Sequence, residues 1–150
     1  MKRRLIVVPI IRRGDGSILL IKMAKHRGVF PGQWGLPGGG VEDNETIEEA
    51  LRREIREELA LEIESAAPLY FKAENLPKLY PDGTIESMYM IFLIYSCDAG
   101  DVDPTINEEF DAFAWVQPAE LGSFDINEAT RATLRQTGLM PTTPAAATTA

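Results

Sequence analysis

Glu54, Glu57 and Glu58 crowd into the run Arg53-Glu54-Ile55-Arg56-Glu57-Glu58-Leu59, a concentration of carboxylates that could hold a metal ion. On a helix advancing about 100° per residue, Glu54 and Glu58 share the azimuth of Ile47 and Leu51, and Glu57 falls beside Ala50. The stripe that the earlier turns give to aliphatic side chains therefore turns acidic one turn further on. A solvated acidic face would lie opposite, where Glu49, Arg52 and Arg56 sit. Like charges at i,i+3 and i,i+4 repel, the more so as they lose water, and the one nearby guanidinium of Arg53 does not neutralise three carboxylates. A divalent cation would. Oxygen-only ligands favour Mg²⁺, with Mn²⁺ as a substitute, and a single His26 and a single Cys97 argue against zinc.

These residues need a helix to hold them, and Thr46–Leu59 has the signals for one. Thr46 with Glu49 makes a capping box, acidic residues stand at its positive end, and Glu48/Arg52 and Glu49/Arg53 are favourable i,i+4 pairs. Before it, Arg27–Gly40 (RGVFPGQWGLPGGG) is too rich in Gly and Pro for a helix or a central strand. Its Gly38-Gly39-Gly40 lets the backbone approach a ligand closely, but it is neither a Walker A loop nor a GxGxxG turn. Leu5–Ile11 and Ile18–Met23 read as strands joined by Gly14-Asp15-Gly16, and Pro68–Ala73 and Ser87–Cys97 as strands around a turn at Tyr80-Pro81-Asp82-Gly83. Asp111–Val116 reads as a short strand, Pro118–Leu121 as one helical turn, and Asp125–Thr137 as a closing helix capped by Asn127 or Asp125 and stopped at Gly138. Mixed elements in this order indicate α/β or α+β.

The chain's 150 residues fit one domain, and 45% hydrophobic with 25% charged residues is ordinary globular composition. The uncharged, low-complexity stretch 141–150 (PTTPAAATTA) is expected to be a mobile, functionally silent tail, which leaves 1–140 as the domain. A formal charge of −8 excludes coating a long polyanion, so no nucleic-acid partner is expected, whereas a small anion can bind through a bridging cation. One cysteine rules out an internal disulfide and suits the cytoplasm. The basic and apolar start resembles a signal peptide, but its apolar run is short, contains Pro9 and ends at Arg12-Arg13, so a buried strand explains it better. No segment is long enough to span a bilayer. A monomer is expected, with a homodimer as the alternative.

Gly39, Glu45, Arg53, Glu54, Ile55, Glu57, Glu58 and Leu61 together resemble the Nudix box, GX5EX7REUXEEXGU with U aliphatic, in which Ala60 alone departs by replacing a glycine. The alanine removes no ligand and should cost on the order of 1 kcal/mol, giving slightly lower stability or an altered helix end with activity kept. The stretches RGVFPGQWGLPGGGVE and INEEFDAFAWV extend the resemblance toward the family's bacterial nucleoside triphosphatases. It implies an α/β/α sandwich around a mixed sheet and hydrolysis of a nucleoside triphosphate, pyrimidine deoxynucleotides (dUTP, dTTP, dCTP) foremost, to monophosphate and pyrophosphate. Other nucleoside diphosphate derivatives, or a catalytically dead binding module, are the alternatives. The resemblance assigns Glu54, Glu57 and Glu58 to the metal, with a carbonyl of Gly38 or Gly39 as a further ligand and Arg53 and Glu45 orienting the cluster. For the base that deprotonates water it leaves Glu54 or a glutamate before the late strand, with Glu109 favoured over Glu108. For substrate, Phe30, Trp34, Phe71, Tyr80 and Tyr89 are candidates to stack on a base, and Lys22, Lys25 and Arg27 to meet phosphates.

Overall fold

The structure is a computed structural model and describes residues 2–141, so the proposed tail, Pro141 apart, lies outside the described residues. β1 (Lys2–Arg12) is followed by β2 (Ile18–Met23), and two-residue strands β3 (Trp34–Gly35) and β4 (Gly39–Gly40) form within the Gly/Pro-rich loop. Then come α1 (Ile47–Leu59), β5 (Ser65–Leu79), β6 (Ile85–Asp98), β7 (Phe110–Val116), a 3₁₀ turn (Pro118–Ser123) and α2 (Glu128–Gln136). The turn before β2 closes as Asp-Gly chemistry requires: the Ser17 N–H and hydroxyl donate to the Asp15 carboxylate at 2.9 and 2.7 Å, and Gly16 takes φ 88°.

The strands form one mixed sheet in the order β3-β2-β1-β6-β5. β1 and β6 run parallel, and every other pairing is antiparallel. β1 and β2 pair at a single position, Arg12↔Ile18, and then splay apart. β4 takes the freed edge of β1 at Ile6 and Val7, β3 takes that of β2 at Ile21 and Lys22, and β7 covers the other edge of β2. The glycine loop is thereby drawn into a wedge between two central strands.

Strand alternation buries the sheet on both faces. Val7 and Ile11 point to a core shared with Leu51, Ile55 and Leu59 of α1. Val8 and Ile10 point the other way, to a core with Leu121, Ile126 and Leu134. The result is the α/β/α sandwich around a mixed sheet. Among the described residues no helix is long and apolar enough to cross a membrane.

Besides the longer β1 and the two short strands inside the Gly/Pro-rich loop, two differences from the sequence reading bear on the site. The β5–β6 hairpin is longer than the runs Pro68–Ala73 and Ser87–Cys97, because pairing continues from Ser65↔Asp98 to Leu79↔Ile85 through residues of poor strand propensity. Its tip is also fastened to the loop: Gly28 and Leu79 exchange two N–H···O bonds of 2.8 Å. The closing helix starts after Asn127, whose side chain accepts from the Thr130 N–H at 2.8 Å, so Asn127 rather than Asp125 is the cap.

Candidate active site

α1 begins on the anticipated capping box, with the Glu49 N–H donating to Thr46 Oγ1 at 3.1 Å and the Thr46 N–H to Glu49 Oε1 at 2.8 Å. It ends on Ala60 at φ 55°, ψ 38°, the left-handed cap conformation, whose N–H donates to the Arg56 carbonyl at 3.0 Å. A Cβ there costs about 1 kcal/mol relative to glycine. Ala60 nevertheless takes the left-handed conformation.

Ala50, Leu51, Ile55 and Leu59 are buried, and Glu58, in the same stripe, is only 2% exposed. The Gly38 N–H donates to Glu58 Oε1 at 3.0 Å. Glu54 retains 12% side-chain exposure, and its carboxylate fills the space that a side chain at Gly39 would take. Glu57 departs from the inward placement expected of it. Its side chain is 59% exposed, at the edge of the apolar arc, and accepts from Arg53 Nη1 at 3.1 Å.

Arg53 is the centre of the local charge balance. It forks onto Glu45 (Nε–Oε2 2.6 Å, Nη2–Oε1 2.9 Å), donates to the Gly40 carbonyl at 2.9 Å and reaches Glu54 at 2.9 Å. These bonds hold Glu45 down at about 2 and raise Arg53 further above its already high value. Glu58 has no such cation. Burial, and then the charges of Glu54 and Glu109, push its carboxyl well above the ordinary range. Glu54 is also pushed up by burial, against the opposing pull of Arg53.

The loop leading to β7 is stapled to the C-terminal end of α1, where helix carbonyls lack partners. The Thr105 N–H donates to the Leu59 carbonyl at 2.8 Å, and the Asn107 N–H to the Glu58 carbonyl at 3.2 Å. Asn107 Oδ1 then receives the Glu109 N–H at 2.9 Å, which sets Glu109 beside Glu58.

These groups face a cavity of about 410 Å³. Arg53, Glu54, Glu57, Glu58 and Glu109 line it, as do Arg27, Phe30, Gly38 and Gly39; Glu108 is exposed outside it. The structure does not bring Trp34 or Tyr89 there. Trp34 packs edge-on to Phe124 at 5.1 Å. Tyr89 is turned away by strand alternation, because its neighbours Met88 and Met90 point in. Phe71 is 73% exposed, and Tyr80, Lys22 and Lys25 also lie outside. Sequence reasoning missed Arg4, Lys72 and Lys78, and the apolar wall of Met88, Met90 and Phe92. The alternation of Met88, Met90 and Phe92 was the one available signal for that wall.

Among the described residues no three His, Cys, Asp or Glu side chains already stand around a common point as metal ligands, since Glu57 is turned out to Arg53. The chemistry of the donors nevertheless suits a hard divalent ion. Glu54 and Glu58 are adjacent and shielded from water, Arg53 reaches only the first of them, and neither His26 nor Cys97 lines the cavity.

The NUDIX domain family model matches residues 1–137, and the chain belongs to the Nudix family, whose members generally use a divalent metal. It is similar to the "Nucleoside triphosphatase NudI" of Klebsiella pneumoniae, 55% identical over 142 residues that cover 93% of this chain and 100% of that one. The protein of the same name from Enterobacter sp. is 54% identical with the same coverage. Among solved structures, a MutT NUDIX hydrolase from Burkholderia pseudomallei superposes with a TM-score of 0.73 at 32% identity, over 91% of this chain and 98% of that one.

Proposed function

We propose that this chain hydrolyses nucleoside triphosphates, with pyrimidine deoxynucleotides (dUTP, dTTP, dCTP) preferred, to the monophosphate and pyrophosphate. The observation that carries the reading is Glu58, 2% exposed beside Glu54 and Glu109 with no cation of its own. The relatives named above supply the substrate class. Glu54, Glu57 and Glu58, with the Gly38 carbonyl, are the proposed ligands of Mg²⁺, for which Mn²⁺ can substitute. Bound there, the ion supplies neutralisation of phosphate oxygens and acidifies water.

The remaining roles fall to the protein's own groups. Arg53 fixes Glu54 and Glu57 while it is itself fixed by Glu45 and the Gly40 carbonyl. Gly39 lets the phosphates approach the backbone, Arg27 meets them, and Phe30 with the Met88–Met90 wall takes the base. Trp34 and Tyr89, outside the cavity, have no part in this scheme. Glu109 is the proposed base that takes the proton from water, since Arg53 already engages Glu54. The monomer, residues 1–140, is proposed as the working unit, acting in the cytoplasm.

The test is product analysis over a panel of pyrimidine and purine deoxynucleoside triphosphates and ADP-ribose with Mg²⁺. Pyrophosphate and monophosphate from the pyrimidine triphosphates are expected, and fast ADP-ribose cleavage beside negligible triphosphate turnover would overturn the reading. On the preferred substrate, Glu109→Gln should lower kcat by roughly 10²-fold or more with little change in KM. Near wild-type kcat would return the base role to Glu54.

A further inference from the structure

The cavity has a second charged side that the acidic helix does not explain. Arg4 of β1, Arg27 of the loop and Lys78 at the end of β5 all line it. In a chain of net charge −8, no carboxylate among the described residues lies within ion-pair distance of any of the three. Lys78 rests its ammonium 5.3 Å above the Tyr80 ring.

Their convergence is built into the fold. The two backbone bonds between Gly28 and Leu79 tie the loop to the hairpin tip, and their chain neighbours Arg27 and Lys78 both line the cavity. Gly40 has an equally specific role. Any side chain there would strike the Arg4 guanidinium, just as one at Gly39 would strike the Glu54 carboxylate. β4 is therefore a thin partition, with an acid against one glycine and a guanidinium against the next. The cations also feel one another: burial, and then the charges of Arg4 and Arg27 against the pull of Glu109, press the Lys78 ammonium below its usual pKa. Holding like charges together in a half-buried wall is unfavourable until an anion enters.

We infer that Arg4, Lys78 and Arg27 form the binding site for the outer phosphates of the substrate, the portion released as pyrophosphate, across β4 from the acidic pocket. Arginine forks match phosphate oxygens in pairs, and the lysine adds a point charge. The division explains how an acidic protein takes in a polyanion. Carboxylates hold the metal on one side, and the chain's own cations hold the phosphate tail on the other. The inference rests on the nucleotide reading for its substrate, but the site itself requires only a linear phosphate anion.

The test uses the full chain with Mg²⁺ and two readouts, calorimetric titration with inorganic tripolyphosphate and steady-state kinetics with a pyrimidine deoxynucleoside triphosphate. Arg4→Gln and Lys78→Gln should each weaken tripolyphosphate binding by roughly 10-fold, the double variant by more, with the kinetic loss falling on KM rather than kcat. Arg4→Lys should recover part of the loss, and the salt dependence of binding should flatten in the neutral variants. Unchanged Kd and KM in variants with the wild-type thermal midpoint would overturn the assignment. Should Arg4→Gln fail to fold, Arg27→Gln on the loop reads the same site. If the wild type turns over no triphosphate yet binds tripolyphosphate through these cations, the activity reading fails and the site stands. If triphosphate is turned over with a KM indifferent to all three cations, the activity stands and the phosphate site fails.

Discussion

Glu58→Gln is expected to reduce nucleotide hydrolysis by roughly 10²-fold or more, the several kcal/mol that a correctly held metal supplies, while leaving the metal-free protein as stable as the wild type or more so. The two effects have one cause. Glu58 is buried against Glu54 and Glu109, and its carboxylate form is disfavoured there. Glutamine keeps an oxygen to accept the Gly38 N–H, which the carboxylate accepts at 3.0 Å, and removes the charge. Linkage gives the sign of the pH dependence. A carboxyl whose pKa is raised on folding holds a proton that the unfolded chain, titrating near pH 4.3, has already released. Its contribution is complete below that pH and is lost as pH rises through the folded value. In EDTA the wild-type melting temperature should therefore fall from about pH 5 to pH 8 more steeply than that of Glu58→Gln, and added Mg²⁺ should raise it most at the alkaline end. Thermal melts over that range, beside initial rates, check both halves. A variant that is destabilised but fully active would mean that Glu58 is a packing residue.

Gly39→Ala is the second large effect. The added Cβ would collide with the Glu54 carboxylate, whereas β4 keeps its backbone pairing with Ile6 and Val7. The carboxylate must move, and a displacement of about 1 Å in a catalytic group can cost on the order of 10²-fold in rate. Gly14→Ala is the matched control, since a Cβ at Gly14 meets nothing within 4 Å. We expect Gly39→Ala to lose activity with its thermal midpoint nearly intact and Gly14→Ala to keep both. Equal rates for the two variants would show that the position of Glu54 against the glycine loop does not matter.

What the sequence disclosed and what it hid follow the range of the interactions involved. The capping box and the acidic continuation of the apolar stripe at Glu54 and Glu58 are local and periodic, so spacing located them, whereas the left-handed end at Ala60 was implied by the glycine of the resembled motif. The outward turn of Glu57 is a contest between helix azimuth and the pull of Arg53, which spacing does not decide. Trp34 and Tyr89 are candidates by residue type alone, whereas facing is set by strand register, and register turns Met88 and Met90 inward instead. Arg4 and Lys78 meet only because β1, β4 and the tip of the β5–β6 hairpin converge, and no local pattern announces that. Nor do the adjacent glycines reveal that one seats a carboxylate and the next a guanidinium.

On the proposed function, the carboxylates of α1 work only with a divalent cation among them. Initial rates of pyrophosphate release from a pyrimidine deoxynucleoside triphosphate, measured with Mg²⁺, after EDTA, and after Mg²⁺ is restored, test it most directly. Activity, its abolition and its full return are expected in turn. Hydrolysis that continues undiminished in excess chelator would contradict it.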